Sequence, residues 1–122
     1  MKARCELCDG VSAWLDDLKL ADVCPRCGRA GGMRPHVVWF GELPLYMDDI
    51  ERALRHADLF VAIGTSGAVY PAAGFVHEAR AMGIETCEIN LESADNAELF
   101  DDCRYGPASE TVPAWVEEIL AS

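Results

Sequence analysis

Four cysteines raise the first chemical question. Cys5 and Cys8 are separated by two residues, as are Cys24 and Cys27, and 15 residues lie between the pairs. Two thiolate pairs of this kind, each on a tight turn, can place four sulfurs at the corners of a tetrahedron around Zn2+. All four positions are cysteine, which leaves no place for a reactive water, so the spacing predicts a structural ion. A redox pair or a set of unrelated buried thiols is the alternative. Cys87 and Cys103 lack partners at such spacing and read as core residues.

A second group of residues suits an anionic ligand. Gly64-Thr65-Ser66-Gly67 lies between an apolar run, Leu59 to Ile63, and a predicted helix. Free backbone amides and the positive end of a helix favour a phosphate or dinucleotide at such a place. The segment is neither a Walker loop nor a G-x-G-x-x-G fingerprint, so a plain tight turn is the competing reading. Asn90-Leu91-Glu92 closes the next predicted strand, where a doubly wound sheet offers polar groups to a ribose, or where an ordinary loop carries an acid. The three histidines form no catalytic constellation. His77-Glu78 lacks a second histidine at i+4, and His36 and His56 have no nearby nucleophile or acid in a recognisable pattern.

The elements that must position these residues follow from composition and periodicity. The 122 residues are 51% hydrophobic and 25% charged, the range of one modest globular domain, for which a bound metal would add appreciably to stability. A net charge of −11 argues against a nucleic-acid partner; it suits cationic protein segments or simple solubility. No signal-like or bilayer-length apolar run occurs, which points to the cytoplasm and to metal-binding rather than disulfide-bonded cysteines.

The chain divides by composition near Gly31-Gly32 into a zinc-binding module, residues 1–33, and an alternating strand and helix region, residues 34–122. In the second region, Pro35 to Phe40 reads as a short extended segment and Met47 to His56 as an amphipathic helix. Leu59 to Ile63 reads as a strand buried on both faces of a parallel sheet. Pro71 is placed to begin a helix running to Met82, Thr86 to Asn90 is the next strand, and Pro113 opens a final helix. Strand, turn, helix and strand make one βαβ crossover, so the fold class is α/β.

Five ordered stretches resemble the sirtuin (Sir2) family, in its bacterial CobB type. They are the two cysteine pairs, Arg34-Pro-His-Val-Val-Trp-Phe-Gly-Glu42, Ala62-Ile-Gly-Thr-Ser-Gly67, Val69-Tyr-Pro-Ala-Ala-Gly-Phe75 and Ile89-Asn-Leu-Glu92. The resemblance runs from the first cysteines to the last helix. It implies the C-terminal part of a Rossmann-like sheet beside a small zinc ribbon, with an acylated lysine entering between them. It implies NAD-dependent lysine deacylation, in which the acyl group passes to ADP-ribose and nicotinamide is released.

By the same resemblance Gly64, Thr65 and Ser66 would contact NAD. Asn90, Leu91 and Glu92 would border the adenosine ribose, and Ala108 would lie near the adenine. Val38, Phe40, Gly41 and Glu42, with Gly67, Val69 and Tyr70, would form two edges between which an acylated-lysine peptide adds as a strand. The family's Gly-Ala-Gly-x-Ser loop, Gln-Asn-x-Asp segment and catalytic His-Gly motif have no counterpart among these residues. The expectation is therefore a chain without a catalytic base, inactive alone and apt to expose an apolar sheet edge: a fragment, a truncated gene product, or one half of a split enzyme that folds with a separate N-terminal sirtuin half. A non-catalytic acyl-peptide or NAD-binding module, or a remnant, is the alternative.

Overall fold

Two separate runs of strand pairing organise the chain in the computed structural model, which describes residues Met1–Ser122. They fall into two compact units, Met1–Leu45 and Tyr46–Ser122.

In the first unit β1 (Lys2–Cys5) is the middle strand of three, flanked antiparallel by β2 (Val11–Ala13) and β3 (Met33–Pro35). Register pairs Arg4 with Val11 on one side and with Arg34 on the other. The buried apolar residues of this unit are Ala3, Cys5 and Cys24, all small. So little apolar volume cannot order 45 residues by itself, and the cysteines must take over part of the work.

The second unit is an α/β layer. Strands β4 (Leu59–Ile63), β5 (Glu85–Asn90) and β6 (Asp102–Tyr105) pair in parallel in that order, with helix α1 (Met47–Leu54) before them and α2 (Phe75–Ala81) in the β4–β5 crossover. The middle strand buries Thr86, Cys87, Glu88 and Ile89 in succession, as a strand covered on both faces must. Leu54, Ala79 and Ile84 form the core with Phe60 and Phe75 against them, and Phe60 stacks on Phe100 at 6.4 Å. Strand β4, expected from its apolar run to be buried on both faces, is an edge strand with no fully buried residue, and Ile63 at its end is 47% exposed. Helix α3 (Ala108–Ala121) buries none of its side chains fully, and Leu120 is 81% exposed.

Three further expectations are corrected. The extended segment over Pro35 to Phe40 pairs only as far as Pro35; beyond it Glu42 accepts from the Trp39 amide and donates its own N–H to the Trp39 carbonyl, folding the chain into a turn at Gly41. The helix expected from Pro71 starts as a 3-10 turn, Ala72–Gly74, before α2 begins at Phe75. The last helix begins at Ala108, with Pro107 at its N-cap, so Pro113 lies inside it. Strand β6 was not expected, although Asp102-Cys103-Arg104-Tyr105 alternates polar and less polar residues with a strand's period of two.

No helix is long and apolar enough to cross a membrane.

Candidate functional site

The two cysteine turns share one backbone design. In the first, the Cys5 amide donates to the Gly10 carbonyl and the Asp9 amide to the Cys5 carbonyl; in the second, Cys24 donates to Arg29 and Gly28 to Cys24. The residue after each second cysteine, Asp9 at φ 55° and Gly28 at φ 71°, takes the left-handed conformation that reverses the chain. Each pair of sulfurs is thereby turned toward the other.

All four sulfurs lie within 4.8 Å of one another, with Cys5 to Cys27 at 3.9 Å and Cys8 to Cys24 at 3.8 Å. A tetrahedron with Zn–S distances of about 2.3 Å has edges of about 3.8 Å, whereas a disulfide needs about 2.05 Å. The residues fit a four-thiolate zinc site, and all six cysteines are free thiols.

The site's electrostatics follow from crowding four acidic groups together. Backbone donation from Arg29, then its guanidinium, draws the Cys27 thiol down to about 6. The Cys27 and Arg26 amides lower Cys24. At Cys8 the Gly10 backbone pulls downward, but burial and the other thiols outweigh it and raise the group to about 11. Four thiolates cannot coexist here without a cation, which Zn2+ would supply while displacing the remaining protons.

Beside the cysteines stands a clasp that the spacing arguments did not single out. Arg34, 7% exposed, forms two bonds with Glu42, at 2.6 and 3.1 Å, reaches Glu6 and the Val37 carbonyl at 3.3 Å, and stacks 3.6 Å over the Trp39 ring. The guanidinium, helped by the Trp39 amide, holds the Glu42 carboxyl at about 2. Both carboxylate oxygens of Glu42 are thus engaged within the unit. Opposite charges at the two ends of an otherwise apolar stretch were the available signal. The clasp leaves Val38 and Trp39 partly exposed and Phe40 91% exposed, next to Gly41 at φ 84°.

In the second unit the anion-suited residues gather at one end of the sheet. The strands are parallel and in register, so Gly64 after β4, Asn90 at the end of β5 and Gly106 to Ala108 after β6 all stand at carboxyl ends. That edge is where open α/β sheets take ligands. Asn90 Nδ2 donates to the Thr65 carbonyl at 2.6 Å and the Asp95 amide to the Ser66 carbonyl at 2.9 Å, tying one loop to the other. Within the Gly64 loop, the Gly67 amide faces Thr65 Oγ1 and the Ala68 amide Ser66 Oγ, while the Thr65 and Ser66 amides have no partner in the chain. Two free, adjacent N–H groups can receive a phosphate or hydroxyl oxygen.

Gly67, at φ 68°, presses against Asn96: a Cβ there would lie 2.0 Å from Asn96 Oδ1. Val69 and Tyr70 beyond it are exposed, as are Leu91 and Glu92. The histidines stay outside this arrangement, His56 contacting only the Arg52 carbonyl through Nδ1.

Comparison with known proteins gives a consistent result. The Sir2 family model matches residues 1–71. An NAD-dependent protein deacylase of Caulobacter vibrioides is 65% identical over 118 residues, covering 97% of this chain and 50% of the relative. A Sir2 homologue solved with NAD superposes with a TM-score of 0.83 at 29% identity, over 98% of this chain and 48% of that one. Sir2Af2, solved with a myristoylated histone peptide, gives 0.75 at 30% identity, over 97% and 52%. The chain spans about half the length of the curated relatives it matches.

Proposed function

This chain belongs to the Sir2 family, and on that premise we propose that it serves an NAD-dependent protein-lysine deacylase, carrying the zinc module, part of the NAD site and the residues that receive the acylated peptide. The observation that carries the reading is the gathering of Gly64 to Ser66, Asn90 to Glu92 and Ala108 at the carboxyl end of one parallel sheet, with the Thr65 and Ser66 amides free.

When bound, NAD supplies the ADP-ribose that takes up the acyl group as nicotinamide leaves. The chain's own residues hold and orient. Thr65 and Ser66 offer backbone donors to the dinucleotide, Asn90 fixes the Thr65 carbonyl, Leu91 and Glu92 border the adenosine ribose, and Ala108 opens the helix beside the adenine. Cys5, Cys8, Cys24 and Cys27 hold a structural Zn2+. In the first unit, Val38, Phe40 and Gly41 offer unpaired backbone to an extended peptide, while Glu42 shapes that edge through Arg34. Within the second unit, Gly67 and the exposed Val69 and Tyr70 are assigned to peptide contact.

A complete site draws on the rest of the relatives' length, in the same polypeptide or from a separate N-terminal sirtuin half. We place the activity in the cytoplasm, where four neighbouring thiols stay reduced.

Acetyl- and succinyl-lysine peptides incubated with NAD test the reading, with products followed by mass spectrometry. The zinc-loaded chain is assayed alone and mixed with the N-terminal half of the Caulobacter relative. Deacylation with nicotinamide release in the mixture supports the proposal. Silence in the mixture, with both parts folded and zinc bound, contradicts it and favours a non-catalytic binding module; turnover by the chain alone contradicts the need for a second half.

A further inference from the structure

One fully buried ionisable side chain has no part in the site as described. Glu88, in the middle of β5, is 0% exposed, and no lysine, arginine or histidine forms an ion pair or hydrogen bond with its carboxyl group. A buried carboxyl group without a cation is a standing cost to stability, and an aliphatic side chain on this strand would avoid it.

The cost is offset by three donors. Oε1 accepts from the Ala94 amide at 2.8 Å and from Asn90 Nδ2 at 3.3 Å; Oε2 accepts from the Tyr105 hydroxyl at 3.2 Å. Their positions are informative. Asn90 is the last residue of β5, Ala94 lies within the loop that follows it, residues 91–96, and Tyr105 ends the neighbouring strand. Asn90 passes the restraint on, because the same Nδ2 donates to the Thr65 carbonyl. Glu88 also lines a small cavity of about 20 Å3 with Thr65, Gly67, Ala94 and Asn96, so it sits directly beneath both loops.

We propose that Glu88 is a positioning residue for the dinucleotide: it pins the chain on either side of Leu91 to Ser93, at Asn90 and at Ala94, and through Asn90 the Thr65 carbonyl, setting the height at which Leu91 and Glu92 meet the adenosine ribose. The inference rests on the NAD reading above and adds a residue that touches no ligand. Glu88→Ala leaves the Ala94 amide without its acceptor and removes one of the two acceptors of Asn90 Nδ2, the Thr65 carbonyl remaining. Glu88→Gln keeps an acceptor oxygen for both and turns its NH2 toward Tyr105, whose hydroxyl can accept.

The test pairs two readouts on the zinc-loaded protein. The first is hydrogen exchange without ligand. Glu88→Ala should speed exchange of the Leu91 and Ala94 amides at least tenfold while the β4 and β5 amides keep their protection, and Glu88→Gln should stay near the parent. The second is ADP-ribose binding by calorimetry, where Glu88→Ala should weaken affinity about tenfold, the effect of one unmet buried hydrogen bond, and Glu88→Gln by no more than about threefold. Faster loop exchange with unchanged ADP-ribose affinity overturns the inference and leaves the NAD reading standing. A parent protein that binds no ADP-ribose, even with the other half of the relatives' length supplied, overturns the NAD reading itself. Global loss of β5 protection in both variants overturns the positioning role in favour of a purely structural one.

Discussion

In Met1–Leu45 the buried side chains are Ala3, Cys5, Cys24 and Arg34; in Tyr46–Ser122 they include Leu54, Val76, Ala79, Ile84 and Ile89. The first set is small, sulfur-bearing or charged, and the second is the ordinary stuff of a hydrophobic core. Charge divides the same way. The six acids of the first unit are matched by six lysines and arginines, so the net −11 falls wholly on the second unit, whose four arginines are all paired with acids. One unit is held by directional bonds at a few points, and the other by area removed from water. Loss of a single group should therefore be catastrophic in the first and graded in the second.

Chelation of zinc is the sharpest way to break the comparison. Structural zinc contributes about 10–16 kcal/mol of apparent binding energy in small zinc modules. Removing it should abolish amide protection in β1, β2 and β3, while β4 to β6 keep theirs, as read by hydrogen exchange. Equal loss in both units would mean that they do not fold by separate means.

A smaller effect is expected at Gly67. Gly67→Ala places an L-residue at φ 68° and a Cβ 2.0 Å from Asn96 Oδ1, so the Asn96 side chain must move and its Nδ2 loses the bond it donates to the Ala73 carbonyl. The left-handed backbone alone costs roughly 1–2 kcal/mol, and with the displaced asparagine the second unit should lose about 3 kcal/mol, measurable by urea denaturation. A change below about 0.5 kcal/mol would show that the Gly64–Gly67 loop is not held as described.

The mildest test concerns the Arg34 clasp. With the Glu42 carboxyl at about 2, against an ordinary 4.5, its folded form is the better acid. The clasp's contribution is therefore present above about pH 4.5 and is lost as pH falls toward 2. A carbon-detected NMR titration should place the Glu42 midpoint near 2, and Arg34→Ala should return it toward 4.5. A midpoint already near 4.5 in the parent would remove the clasp from the account.

These contrasts also explain what could be read from residues alone. The cysteine pairs were legible because metal ligation imposes both residue type and spacing. The β4, α2 and β5 region was legible because Leu59 to Ile63 is an unbroken apolar run stopped by Gly64, and Gly83 separates the helical stretch from a second short run that carries the β-branched Thr86 and Ile89. The clasp and the Glu88 network were not, because each depends on partners brought together by folding: Glu88 meets Tyr105 only when β5 and β6 pair, and Ala94 only when the loop after β5 turns back over it. Pro113 misled because a proline is acceptable at a helix start, yet Pro107 already occupied the cap. Strand β6 escaped because its charged residues, Asp102 and Arg104, satisfy each other on one face.

Zinc K-edge X-ray absorption on the protein as isolated tests most directly the claim that the first unit is organised around a closed, non-catalytic metal centre. The account predicts one zinc per chain with four sulfur neighbours at about 2.3 Å. A shell containing nitrogen or oxygen, or fewer than four sulfurs, would contradict it by leaving the metal an open position.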